Sequence, residues 1–172
     1  MVARKVPNLF AAVAYSSGMF AKILVPLDGS KGSQQALDVA LNLAKAEKAE
    51  VVVCSIVDPI LVVGTTPPSP AIDLLLTDRE NEAHHLIDDA VEKARRAGVR
   101  ARGEMHLGVP FDEILSLANR AKVEAIVMGT HGRSGVTRVL LGSVAETVLR
   151  GAPCPVIVVR ETSNEPIAPA HA

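Results

Sequence analysis

Short, continuous runs of Val, Ile and Leu alternate along this chain with longer stretches in which apolar residues recur at helical spacing. That alternation limits the fold more than any other feature. Ala21-Lys-Ile-Leu-Val-Pro26 is an apolar run closed by Pro26 and the turn residues Asp28-Gly29-Ser30, and it reads as a buried strand. A helix is expected from about Ser33, as N-cap, to Glu47, with Ala36, Leu37, Ala40, Leu41 and Ala44 inward. Val51 to Val57 is a second strand, rich in β-branched residues. Pro59, Pro67, Pro68 and Pro70 then exclude regular structure from Asp58 to Pro70. A long amphipathic helix follows, striped by Ile72, Leu75, Leu76, Ala83, Leu86, Ile87, Ala90, Val91 and Ala94 and closed by Gly98. The rest of the pattern is a more polar edge strand (Arg100 to Leu107), a helix opened by Pro110 with Phe111, Ile114, Leu115, Ala118 and Ala121 inward, a strand (Ala125 to Met128), a helix (about Ser143 to Arg150) and a last strand (Pro155 to Val159). Strands that are apolar throughout belong to a sheet covered on both faces. The expectation is therefore a single α/β domain with a doubly wound, Rossmann-like parallel sheet and right-handed crossovers.

The 172 residues suffice for one domain, placed at 19–160. Residues 161–172 read as a flexible tail. Residues 1–18 read as a disordered extension or a misassigned start: Arg4-Lys5 before the patch Leu9 to Val13 only weakly imitates a signal peptide, and Met19 runs straight into the first strand. With 18 Lys and Arg against 19 Asp and Glu, the chain lacks the basic surface that nucleic acid or an anionic membrane demands. It has no Trp, one Tyr and three Phe, too few for a base-stacking platform, and no apolar run of membrane-spanning length. Two cysteines, Cys54 and Cys154, form no disulfide framework and suit the cytoplasm.

In a doubly wound sheet a ligand sits beyond the carboxyl ends of the strands, where the strand order reverses. The loop Gly129-Thr-His-Gly132-Arg-Ser-Gly-Val-Thr-Arg-Val-Leu-Leu-Gly142-Ser143 lies at such an end. Gly129 allows close approach of a ligand and Gly132 can turn successive amides toward one point. Gly142-Ser143 opens a helix whose amides and dipole favour an anion. The same residues read equally well without a ligand: Ser143 and Glu146 have the spacing of a capping box, and Gly129 and Gly132 suit a turn.

The spacing G-x2-G-x9-G-S resembles the nucleotide-binding signature of the ATP-binding branch of the universal stress protein family. Ile23 to Ser30 resembles that family's first strand and acidic turn, Ile56-Val-Asp58 the end of its second strand, Ile126 to Gly132 the strand leading to its phosphate loop, and Leu141 to Val159 its closing helix and strand. The resemblance spans roughly Phe20 to Arg160. It implies five parallel strands in the order 3-2-1-4-5, with Asp28 and Gly129 meeting at the switch point. It further implies ATP, accompanied by Mg2+, as ligand. Pro26 and Asp28 would lie on the ribose and adenine side, Ile56 against adenine, and Met128 and Gly129 at the floor. Gly132, Gly142, Ser143 and Val144 would hold the phosphates. Arg133 is added on its charge alone, as a partner for the terminal phosphate. The family also implies a homodimer through the last strand, Pro155 to Val159, an apolar edge that seeks a partner.

No P-loop, no G-x-G-x-x-G fingerprint and no nucleophile elbow occurs. The sequence assigns no catalytic residue and no protein metal site. His84-His85 reads as a surface pair, His106 as isolated near a strand end, His131 as peripheral to the loop, Cys54 as a core residue and Cys154 as a thiol with no base beside it. The expected role is a nucleotide-dependent regulatory or sensor module in a stress response, ATP biasing the dimer or the 58–70 loop for an unidentified protein partner to read. Two rivals stand beside it: a weak ATPase or phosphotransferase using Asp28 with Mg2+, and an interaction module with no nucleotide.

Overall fold

The computed structural model describes residues 18–60, 69–130 and 141–160. Residues 1–17 of the expected extension 1–18, the tail from 161, and His131, Gly132 and Arg133 lie outside the described residues. The central strand β1 (Lys22–Pro26) pairs in parallel with β2 (Glu50–Val57) on one side and β4 (Ala125–Gly129) on the other. The strand β3 (Arg100–Leu107) extends the sheet beyond β2, and β5 (Val156–Val159) extends it beyond β4. The order is β3-β2-β1-β4-β5, as the resemblance implies, with β3 and β5 at the edges.

Side chains alternate across each strand, which is why the runs are apolar throughout. Ile23 and Val25, Val51 and Val53, and Ala125 and Val127 face one helical layer. Leu24, Val52, Cys54, Ile126 and Met128 face the other. Helices α1 (Lys31–Glu47) and α2 (Pro70–Arg96) cover the first face, and α3 (Pro110–Ala121) and α4 (Ser143–Gly151) the second.

Three boundaries differ from the sequence expectation. First, α1 begins at Lys31 and its N-cap is Ser30, not Ser33. The Ser30 hydroxyl oxygen accepts from the Ser33 amide (3.1 Å), while Ser33 is buried and donates to the Ser30 carbonyl (2.9 Å). Gly29, at φ 82°, supplies the left-handed step that brings Ser30 into place. Second, Pro70 is the first residue of α2 rather than the end of a loop, and Pro59 and Ile60 are helical too. A first-turn proline loses no hydrogen bond. Third, the apolar stripe of α2 is buried only from Ala83 onward, through Ile87, Ala90 and Ala94. Leu75, expected inward, is 51% exposed, because the first half of this 27-residue helix runs past the end of the sheet. In α3, Leu117 is buried beside Ile114 and Ala118, a core position that the sequence reading omitted.

Candidate functional site

At the carboxyl ends of β1, β2 and β4 a cavity of about 620 Å³ opens, within the size range of small-molecule sites. Pro26, Asp28, Ile56, Met128, Gly129, Gly142, Ser143 and Val144 all line it. The structure thus brings together the eight expected site residues that it describes, and Gly132 and Arg133 lie outside the described residues.

The floor follows from strand geometry. β1 ends at Pro26, and the amide of Leu27 donates to the Cys54 carbonyl at 2.7 Å, which keeps the chain on the sheet for one more residue. Asp28 then turns away. Its Oδ1 accepts from the Ser30 amide at 3.0 Å and from the Ser30 hydroxyl at 2.6 Å. Asp58, after β2, is tied down in the same way: its Oδ1 accepts from the Ile60 amide at 2.9 Å. Both are Asp residues bonded to the backbone two positions on, so each carboxylate is fixed at a strand end by its own turn. Both line the cavity.

The far wall is the start of α4. Gly142 is its N-cap and, being glycine, supplies no side-chain cap hydrogen bond. The capping box that the Ser143–Glu146 spacing allowed is therefore not formed, because the N-cap is Gly142. Ser143 occupies the first helical position instead of the cap, and Glu146 pairs with Arg150 Nη2 at 2.6 Å, one turn onward. Such a helix tip leaves its first amides directed outward with the positive end of the dipole behind them. The Gly142 amide is not among them, since it donates to the Thr130 carbonyl at 2.8 Å. That bond ties the return of the glycine loop to its departure and sets the tip of α4 beside the end of β4. Among the described residues, Ser143 and Val144 carry first-turn amides on the wall of the cavity.

Gly129 has a reason other than ligand access. A Cβ built there would lie 2.8 Å from the Gly32 carbonyl carbon, 3.1 Å from its oxygen and 3.1 Å from the Ser33 nitrogen. Glycine is required because the first turn of α1 crosses the end of β4 at backbone contact.

The sequence reading missed the third wall. Leu75, Arg79 and Ala83 of α2 line the cavity along with Ser33, Ser55 and Thr130. The interval of four places all three on one helix face, and the outer half of α2 turns that face to the cavity. Arg79 is the one cationic side chain among the described lining residues. Its Nη1 donates to Glu82 Oε2 at 2.8 Å.

The remaining candidates fall away from the cavity. His84 and His85 are exposed on α2, as expected. His106 is not isolated: its ring nitrogens lie 3.2 Å from Glu104 Oε2 and 3.7 Å from Glu113 Oε2. Glu104 also pairs with Arg102. Burial works to raise the Glu104 carboxyl, but the Arg102 hydrogen bond and charge, with a smaller contribution from His106, outweigh it and hold the group below the usual carboxylate range. Burial pushes the Cys54 thiol far above its ordinary value, and the nearby Glu104 charge adds to the effect. Burial raises Cys154 as well. Neither cysteine has the lowered pKa of a nucleophile. No group of three potential ligands among the described residues could hold a metal ion, and no described helix is long and apolar enough to cross a membrane.

Residues 19–160 match the sequence profile of the Universal stress protein family. Universal stress protein MJ0531 of Methanocaldococcus jannaschii is 36% identical over 165 residues, covering 96% of each chain. Among solved structures, that of MJ0577 from the same organism is similar with a TM-score of 0.77 at 26% identity, over 85% of this chain and 99% of that one. A universal stress protein crystallised in complex with cAMP is similar with a TM-score of 0.62 at 25% identity, over 82% of this chain and 97% of that one.

Proposed function

The chain belongs to the universal stress protein family, and we propose that it is a cytoplasmic ATP-binding module whose nucleotide state is read by a partner protein. One observation carries this reading: the glycine-capped first turn of α4 opens into a cavity that holds the fixed carboxylate of Asp28 at the neighbouring strand end. A polyanion suits the tip, and a carboxylate that accepts hydrogen bonds suits ribose hydroxyls. The cAMP complex of a family member supports an adenine nucleotide as the ligand class.

In this proposal the main chain at Ile56 meets adenine, Pro26 and Asp28 border the ribose, Met128 and Gly129 form the floor, and the amides of Ser143 and Val144 with the Ser143 hydroxyl receive phosphate oxygens. Gly132 and Arg133 belong to the same phosphate end by sequence. Mg2+ travels with the phosphates, which are its preferred ligands. Two copies pair through the outer edge of β5, whose four residues are all half-buried in the single chain. No dedicated hydrolytic step is assigned. Turnover well above background that disappears in Asp28→Ala would instead favour an ATPase.

The test is direct. Protein purified without added nucleotide is denatured, and the released small molecules are separated by chromatography. The apoprotein is then titrated with Mg-ATP by calorimetry. We expect saturable one-site binding that weakens in Asp28→Ala. A flat titration at millimolar ATP overturns the proposal.

A further inference from the structure

Helix α2 packs against β2 and β3, while α4 packs against α3 and β5, so the two approach the cavity from opposite sides. Ala83 is the first buried residue of α2 and marks where the helix meets the sheet. Arg79 stands one turn before it, about 6 Å farther out along the axis, and Leu75 one turn before that. All three line the cavity together with Val57 and Asp58 at the end of β2. The ends of β2 and β4 are separated by β1, hence by about 10 Å. Arg79 therefore belongs to the β2 side of the cavity, across β1 from the tip of α4.

We infer that Arg79 is a specificity residue whose guanidinium plane stacks on the base of a bound purine nucleotide, a role that rests on the nucleotide-binding reading above. Three observations support it. The Arg79–Glu82 hydrogen bond engages an N–H at the edge of the guanidinium, which leaves the faces of the plane for a π-system. The side chain is 46% exposed, so accessible surface remains beside the cavity. Leu75, one turn farther out, is an exposed apolar side chain on the same wall, positioned to cover the base where Arg79 does not. The wall thus offers a cationic plane flanked by Leu75 and Ala83, the surface a purine ring prefers, whereas phosphate recognition is already supplied by the α4 tip. Aromatic stacking groups are scarce in this chain, which has no Trp, one Tyr and three Phe.

The test compares Arg79→Ala and Arg79→Lys with the unmodified protein, each titrated with Mg-ATP and with AMP. Removing a cation–π stack predicts about tenfold weaker binding, by the same factor for both ligands because both carry the base. Arg79→Lys, which keeps the charge but not the stacking plane, should recover only part of the loss. The Nε–H resonance of Arg79 should also shift upfield under the purine ring current on saturation. Arg79 and Glu82 are both largely solvent-exposed and their ion pair adds little stability, so both variants should melt with the parent. Should Arg79→Ala be less stable, Arg79→Lys and the resonance shift carry the test. Binding within twofold of the parent, full rescue by lysine, or a loss for ATP much larger than for AMP overturns the inference while leaving nucleotide binding intact. If the parent protein binds neither ligand, the nucleotide reading itself has failed and this one falls with it.

Discussion

Gly129→Ala places a methyl group where no side chain can move aside. Its three nearest neighbours, at 2.8, 3.1 and 3.1 Å, are all backbone atoms of Gly32 and Ser33, whereas ordinary contact begins near 3.4 Å. Relief requires the first turn of α1 to back away by roughly 0.6 Å, and overpacking of this kind costs about 2 kcal/mol. At this chain length that corresponds to a melting temperature lower by about 4 to 8 °C. The displaced turn includes Ser30, which anchors Asp28, so ATP binding should weaken together with stability. Thermal and urea unfolding monitored by circular dichroism, followed by calorimetric titration, would measure both. A variant that melts with the parent but has lost the nucleotide would refute the reasoning. It would mean that the glycine is there for the ligand and that the contact with α1 is slack.

Ser30→Ala removes a helix cap and a hydroxyl donor to Asp28 at once. We expect about 1 kcal/mol of lost stability in urea denaturation, restored for the most part by Ser30→Thr, which keeps the hydroxyl. The Glu104 carboxyl is held low in the folded chain, so its contribution is present above its unfolded pKa and is lost as pH falls through the folded one. Glu104→Gln should therefore be less stable than the parent at pH 7, with the gap closing below about pH 4. Urea midpoints measured from pH 7 to pH 3 would show it, and a gap constant over that range would exclude the Arg102–Glu104 pair as its source.

Much of the fold can be read from the chain because burial on both faces writes itself into the strands. Val51, Val52 and Val53 are all fully buried and all apolar, although they point in alternating directions. The strand order cannot be read that way. Handedness rules fix each crossover but not the sequence of strands, and 3-2-1-4-5 came from the likeness of whole segments to a family. The start of α1 was misplaced because Ser30 and Ser33 are equally good caps as residue types. Only the Asp28–Gly29 turn, a three-dimensional feature, selects Ser30. Ser143 and Glu146 misled in the opposite sense: their spacing fits a cap, but the bond from Gly142 to Thr130 sets the helix start one residue earlier. Arg79 was missed because periodicity marks which face of a helix is apolar and not whether that face meets a sheet or a cavity. Leu75 and Ala83 read as core, and the arginine between them read as surface.

Helix α2 has a mechanical property that its burial pattern makes plain. Its fully buried residues begin at Ala83, and the segment from Pro70 to Glu82, about 20 Å long, has none. A pivot of about 5° at Ala83 carries Pro70 through nearly 2 Å, while the core contacts of Ile87, Ala90 and Ala94 close to the fulcrum hardly shift. For a rigid helix turning there, a displacement at Arg79, about 6 Å from the fulcrum, would be roughly three times larger at Pro70.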